Sequence, residues 1–391
     1  MEGDFIKINY KLLPLSWLYG LGVGFRNMLF DIGLLKSRSF DVPMIAVGNI
    51  TVGGTGKTPH TEYLVTLLKD KFKVAVLSRG YKRKTHGFVL ADSTSTAREI
   101  GDEPYQMLLK YGDNVTIAVD GKRSRGVDIL TSDTVVKDID VVLLDDAFQH
   151  RYVKPGINIL LVDYHRLILY DKLLPAGRLR EPLSGKNRAD IVIVTKCPKS
   201  LKPMEFRVIT KAMEVYPYQQ LYFTTLDYGD MYALFGDEQR TIETLSDTNV
   251  LLLTGIASPK QMNVDLTPRV KSITPLAYGD HHAFKTKDIK AINATFAGMA
   301  EPRMVITTEK DAARLRNIDG LDENVRKALY VLPVSIRFML GQEERFNDKI
   351  IGYVRKNSRN SVLVKGKDDN KSANSHNTRN RPRTISFRDN R

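Results

Sequence analysis

The chain has 391 residues, 42% of them hydrophobic, which is enough to bury a full core and accommodate two domains. Its one cysteine, Cys197, excludes an intrachain disulfide and any cysteine-built metal cluster, as suits a reducing compartment. The formal charge is +14, but eleven Lys and Arg against three Asp from Arg355 onward place +8 of it in the tail, so the tail carries most of the excess that would invite a nucleic-acid reading.

Residues 12–25 are almost wholly apolar, but Arg26 and Asp31 interrupt the run before the ~20 residues needed to span a bilayer. Trp17, Tyr19, Phe25, Met28 and Leu29 beside Lys11, Arg26 and Lys36 fit a helix lying in a bilayer interface. They fit equally a helix packed on the protein's own core. No small-residue cleavage site follows, so no cleavable signal is expected.

Residues 42–59, VPMIAVGNITVGGTGKTP, read as a strand, a phosphate loop and a helix start. Glycines let successive backbone N–H groups turn inward around anionic oxygens, and the following helix aims its positive end at them. Thr51, Val52, Gly53, Gly54, Thr55, Gly56, Lys57 and Thr58 are the expected nucleotide-binding residues, with Lys57 as a mobile cation and the Thr58 hydroxyl as a Mg²⁺ ligand. The strict pattern has glycine where Thr51 stands, so the match is partial, and Gly53 and Gly54 are left to supply the backbone freedom. A glycine-rich turn that binds nothing is the competing reading.

A second strand over 73–77 ends in SRGYKRK, placing basic and aromatic residues where open α/β sheets bind ligands. In GDEP, residues 101–104, two acids before a proline read first as a helix start with Asp102 as its cap. A strand over 115–119 leads into Asp120, Gly121, Lys122 and Arg123. The run VVLLDDAFQHR, residues 141–151, places Asp145 and Asp146 at a buried strand's end, where a carboxylate reaches the metal of a nucleotide held by a phosphate loop. Two adjacent acids there are costly to desolvate without a cation.

Strands over 157–162 and 191–194 flank a proline-stiffened loop that carries Arg178 and Arg180, and Thr195-Lys196 stands where many phosphate-loop proteins hold the nucleotide base. The pattern loosens over 215–248, and a domain junction is placed there. Two strand–turn–helix units follow, from 250 and from 304, so the second domain is also α/β. Between them lie His281 and His282; adjacent histidines rarely share a metal, so one of them faces a cleft or both lie on the surface. The tail, rich in Asn, Ser, Lys and Arg, reads as disordered.

Together these segments resemble the tetraacyldisaccharide 4′-kinases, the lipid A 4′-kinases of Gram-negative bacteria. The resemblance covers most of residues 10–350 and is carried by VGNITVGGTGKTP, SRGY, GDEP, DDAFQHR, PAGRLREP, TGIASP, DHHAF and TTEKDAARL in that order. The family shares Thr51 but has glycine where this chain has Ala147. It implies ATP- and Mg²⁺-dependent transfer of a γ-phosphoryl group to the 4′-hydroxyl of a tetraacylated glucosamine disaccharide 1-phosphate. It turns Asp102 into the expected base, oriented by a histidine of the DHHAF segment, His281 or His282, with His281 and Lys57 as the further catalytic candidates. Asp145 and Asp146 join Thr58 as metal ligands, and Tyr81, Glu103, Arg123, Gln149, His150 and Arg178 become substrate contacts. The amino-terminal helix becomes a membrane anchor.

The expected fold is a P-loop NTPase-like, mostly parallel α/β sheet flanked by helices over 39–220, with a smaller α/β domain over 221–352. A membrane-associating segment over 1–38 precedes them and a basic tail over 353–391 follows. The expected setting is a monomer at the cytoplasmic face of the inner membrane, without nucleic acid. A phosphate-loop switch or ATPase that controls a partner is the alternative; it leaves the basic, aromatic and histidine loops unexplained.

Overall fold

The structure is a computed structural model describing residues 6–257, 259–280, 282–316 and 318–358. Eight strands come first in chain order: β1 Met44–Gly48, β2 Val74–Ser78, β3 Val89–Leu90, β4 Thr116–Val119, β5 Val141–Asp145, β6 Ile157–Asp163, β7 Ile191–Thr195 and β8 Gln220–Tyr228. Then follow β9 Met231–Ala233, β10 Gln239–Arg240, β11 Asn249–Thr254, β12 Ser272–Ala277, β13 Arg303–Thr308, β14 Leu329–Leu332 and β15 Val334–Phe338. They form one nine-stranded sheet, β15-β8-β7-β6-β1-β5-β2-β4-β3, and one six-stranded sheet, β10-β9-β14-β13-β11-β12.

In the first sheet only the edge strands β3 and β15 run antiparallel to their neighbours. Its inner strands read as unbroken apolar runs because both faces are covered. Alternation assigns Ile45 and Val47 to one face, with Val65 and Leu68 of the helix Lys57–Leu68, and Met44 and Ala46 to the other, with Val127 and Leu130.

The second sheet is inserted between β8 and β15, which pair with each other, Val334 opposite Tyr228. The first sheet therefore extends past the junction expected at 220/221 and regains the chain at 334. The tail boundary expected at 352/353 falls inside the helix Glu343–Asn357. Phe346, Ile350 and Val354, four residues apart, seal its apolar stripe into the first core, and the Tyr353 hydroxyl receives the Met44 N–H at 3.2 Å. The tail expectation beyond residue 358 lies outside the described residues.

The amino-terminal helix Leu13–Asp31 buries only Ser16 and Phe30, so it is not a core helix. Its inner face is polar: Ser16 accepts the Ala176 N–H at 2.9 Å, and Tyr19 donates to the Arg180 carbonyl at 2.9 Å. Its outer face exposes Leu15, Trp17, Leu18, Leu21, Phe25 and Met28. Among the described residues no helix is long and apolar enough to cross a membrane.

Candidate active site

The phosphate loop leaves β1 and closes on Gly56, whose φ of +83° is left-handed, immediately before the helix that starts at Lys57. Asn49 stiffens the loop by donating to the Thr55 hydroxyl at 2.7 Å. Gly53 through Thr58 line a cavity of about 600 Å³ that also receives Ser78, Tyr81, Glu103, Asp146, Asp280 and Lys310.

Strand β5 lies beside β1 with Asp145 opposite Val47, so the acid pair emerges next to the loop. The two carboxylates stand in different environments. Asp145 is buried and accepts hydrogen bonds from Thr61 at 3.1 Å and Ser78 at 3.3 Å. Burial pushes its pKa well up, and repulsion from Glu103 and Asp146 adds to the rise. Asp146 takes a left-handed turn, φ +45°, into the cavity. Burial opposes its ionisation, but Lys57 at 3.7 Å and Arg180 at 3.3 Å outweigh that and hold its carboxyl below the usual range. Arg180 also donates to the Asn49 side chain, joining loop and acid.

Asp102 is the first residue of the helix Asp102–Tyr111; Gly101, φ +94°, occupies the cap position and no side-chain cap bond forms. Asp102 therefore does not cap the helix. Its carboxylate instead receives Arg314 at 2.6 and 3.0 Å. Glu103 pairs with Lys310 at 3.0 Å, and Lys110 joins Glu62 at 2.6 Å to Glu309 at 3.0 Å. Three ion pairs thus dock this helix on the helix Glu309–Leu315 of the second sheet. Lys310 also reaches Asp280 at 3.3 Å, and Arg314 reaches Asp311 at 2.9 Å, whose other oxygen accepts the Gly255 N–H at 2.8 Å. Asp102, Glu103, Gly255, Asp280 and the helix Glu309–Leu315, far apart in sequence, are thus joined in one network beside the site.

A family model described as Tetraacyldisaccharide-1-P 4'-kinase matches residues 8–355. A Phocaeicola vulgatus protein named Tetraacyldisaccharide 4'-kinase is 56% identical over 92% of this chain and 99% of its own length. A Bacteroides fragilis protein of the same name is 52% identical over 95% and 100%. The chain belongs to the tetraacyldisaccharide 4′-kinase family. A solved structure, the "apo" form of LpxK from Aquifex aeolicus in complex with ATP, superposes with a TM-score of 0.64 at 28% identity, covering 88% of this chain and 98% of its own.

In this kinase Ala147 needs none of the conformational freedom of the family's glycine, because the left-handed residue of the turn is Asp146. Tyr81 and Glu103 line the main cavity. Arg178 faces instead a second cavity of about 360 Å³ across the loop, with Thr51, Asp163, His165, Arg166 and Lys260. Arg123, Gln149 and His150 do not line the main cavity. Arg123 is buried and donates to the carbonyls of Asp120 at 3.0 Å and Asp145 at 3.3 Å. Its backbone N–H donates to His150 Nε2 at 3.2 Å, so that nitrogen is an acceptor, and burial with the Arg123 charge lowers the His150 pKa to about 4. Gln149 donates to the Asn49 carbonyl.

His281 lies outside the described residues. His282 is committed within its own segment, with Nε2 2.8 Å from Asp288 and its ring stacked on Tyr278 at 4.7 Å. Arg180, which the sequence places beside Arg178 on one loop, meets Asp146 and Asn49, whereas Lys310 and Arg314 carry no signal as strong in the sequence. Lys310 and Arg314 stand four residues apart on one helix face just past a strand end, and that spacing was the available signal.

Proposed function

We propose that this kinase transfers the γ-phosphoryl group of ATP to the 4′-hydroxyl of a tetraacylated glucosamine disaccharide 1-phosphate, with Asp102 as the proton acceptor. The observation that carries this reading is the meeting of Lys57, Asp146, Glu103 and Lys310 in one cavity; Asp102 does not line it but precedes Glu103, held by Arg314. Lys57 and the loop N–H groups bind the β- and γ-phosphates. Arg314 orients Asp102 by donating to one oxygen of its carboxylate at 2.6 and 3.0 Å, and that carboxylate takes the hydroxyl proton late in a loose transition state.

The donors suit Mg²⁺: the Thr58 hydroxyl and the Asp145 and Asp146 carboxylates are hard oxygens beside the phosphate loop, and two side-chain cations already neutralise Asp146. Among the described residues there is no group of three or more His, Cys, Asp or Glu that could hold a metal ion. Held by Thr58, Asp145 and Asp146, Mg²⁺ would neutralise charge developing on the transferring phosphate.

We read the outer face of the amino-terminal helix as the surface that meets the cytoplasmic leaflet of the inner membrane, where an acylated substrate resides. Trp17, Leu18, Leu21 and Phe25 are each more than half exposed there, while Ser16 and Tyr19 bind the protein from the inner face. Leu21→Glu combined with Phe25→Glu is expected to weaken binding to anionic vesicles at least roughly tenfold, since each large apolar side chain buried contributes about 1.5–3 kcal/mol. Turnover on a short-chain, water-soluble substrate analogue should persist. Undiminished sedimentation with vesicles would refute the membrane assignment.

The deciding assay is ATP with detergent-dispersed disaccharide 1-phosphate lipid, followed for a bisphosphorylated product. ATP hydrolysis without that product would favour a nucleotide switch.

A further inference from the structure

Three successive carbonyls of the phosphate loop accept hydrogen bonds from side chains, one from Lys196, which lines the cavity, and two from Thr195 and His60, which do not. Lys196 donates its ammonium to the Gly54 carbonyl, Thr195 its hydroxyl to the Thr55 carbonyl at 2.9 Å, and His60 Nδ1 lies 2.7 Å from the Gly56 carbonyl. A carbonyl can only accept, so Nδ1 carries the proton and donates. On the far side of the ring, Nε2 lies 3.0 Å from the Thr224 hydroxyl of β8, which anchors the imidazole to the sheet. Lys196 sits in the left-handed region, φ +55°, a conformation uncommon outside glycine, and is fixed there by Asp163 at 2.8 Å. In a trans peptide the N–H points opposite to its carbonyl. Holding the Thr55 and Gly56 carbonyls outward therefore aims the N–H groups of Gly56 and Lys57 at the cavity.

We infer that Thr195, Lys196 and His60 form a clamp on the phosphate loop that sets the aim of its N–H groups, and that His60 is a positioning residue for nucleotide binding. The inference rests on the reading that this loop holds nucleotide phosphates. It adds a second role to Thr195-Lys196, where the sequence places the nucleotide base: the Lys196 ammonium is engaged by the loop carbonyl and Asp163 while the residue lines the cavity. The loop is thereby ordered before ligand arrives, and each lost clamp bond exposes the bound state to the entropy of an untethered loop.

The test uses full-length protein and a non-hydrolysable ATP analogue. His60→Phe fills the space but cannot donate; it should raise both the analogue Kd and the KM for ATP about tenfold, a loss of about 1.4 kcal/mol. The KM for lipid and kcat at saturating ATP should stay within about twofold, the split expected for lost ground-state binding. His60→Asn returns an N–H close to the Nδ1 position and should recover most of the affinity. Equal analogue affinity in wild type and His60→Phe would overturn the clamp. So would equal affinity losses in the Phe and Asn variants accompanied by equal falls in unfolding midpoint, which would mark a packing role only. Should His60→Phe fail to fold, Thr195→Val carries the test, and unchanged affinity there overturns the inference. Failure of the wild-type protein to bind the analogue would instead sink the nucleotide reading, and the clamp with it.

Discussion

Asp102→Asn is expected to lower turnover by about two to four orders of magnitude, the usual weight of a positioned acid or base, while leaving nucleotide affinity within about twofold. The asparagine keeps the shape but cannot accept the hydroxyl proton. It also weakens the pair with Arg314, yet that arginine keeps Asp311 at 2.9 Å, so the junction between the two sheets is retained and the unfolding midpoint should fall by only a few degrees. Measuring kcat, analogue affinity and thermal unfolding on one preparation separates the two contributions. Near-normal turnover would remove Asp102 from the mechanism.

Asp145→Asn should act in opposite directions on activity and stability. The folded-state pKa of Asp145 is raised, chiefly by burial, so folding favours its protonated form. The sign follows: its contribution to stability is most favourable below the unfolded value of about 4 and is eroded as pH rises from there towards neutral. Asparagine removes the ionisation, and the Thr61 and Ser78 hydroxyls are able to turn and accept from its amide. Without metal, the variant should unfold at a temperature several degrees above wild type at pH 8, with the gap closing near pH 4. With one carboxylate lost beside Thr58, turnover should fall by about 100-fold or more. ATP with Mg²⁺ should then stabilise wild type more than the variant. A variant less stable than wild type at pH 8 would contradict the burial argument.

The parts of this molecule with regular apolar patterns were readable in the sequence. Strands such as Met44–Gly48, Val141–Asp145 and Ile191–Thr195 are covered on both faces and appear as unbroken apolar runs. The phosphate loop and the acids beside it were legible because their chemistry demands a particular order of residue types. The limits of the first sheet were not. Gln220–Tyr228 carries Tyr, Thr and Asp, a mixture that reads as a loosened pattern, and its partner Val334–Phe338 lies more than a hundred residues away. The Lys310 and Arg314 contacts were hidden for the same reason, since a charge on a helix face looks solvated until the opposing acid is known. The basic residues at the end of the helix Glu343–Asn357 resemble those that follow in the sequence, so its buried Val354 and the buried Ser358 beyond it give no sign there.

The insertion of the second sheet between β8 and β15 gives the molecule a modular seam. Tyr228 and Val334 face each other across one antiparallel pair, so everything between them enters and leaves at a single doorway. A tight hairpin would close that doorway and leave the nine-stranded sheet with all its ladders intact. Such a truncated protein would keep Lys57, Asp145 and Asp146 but forfeit Arg314 and Lys310, the groups that engage Asp102 and Glu103. In this architecture the glycine-rich loop and the acid pair beside it belong to the host sheet, whereas the cations that hold Asp102 and Glu103 are lent by the insert.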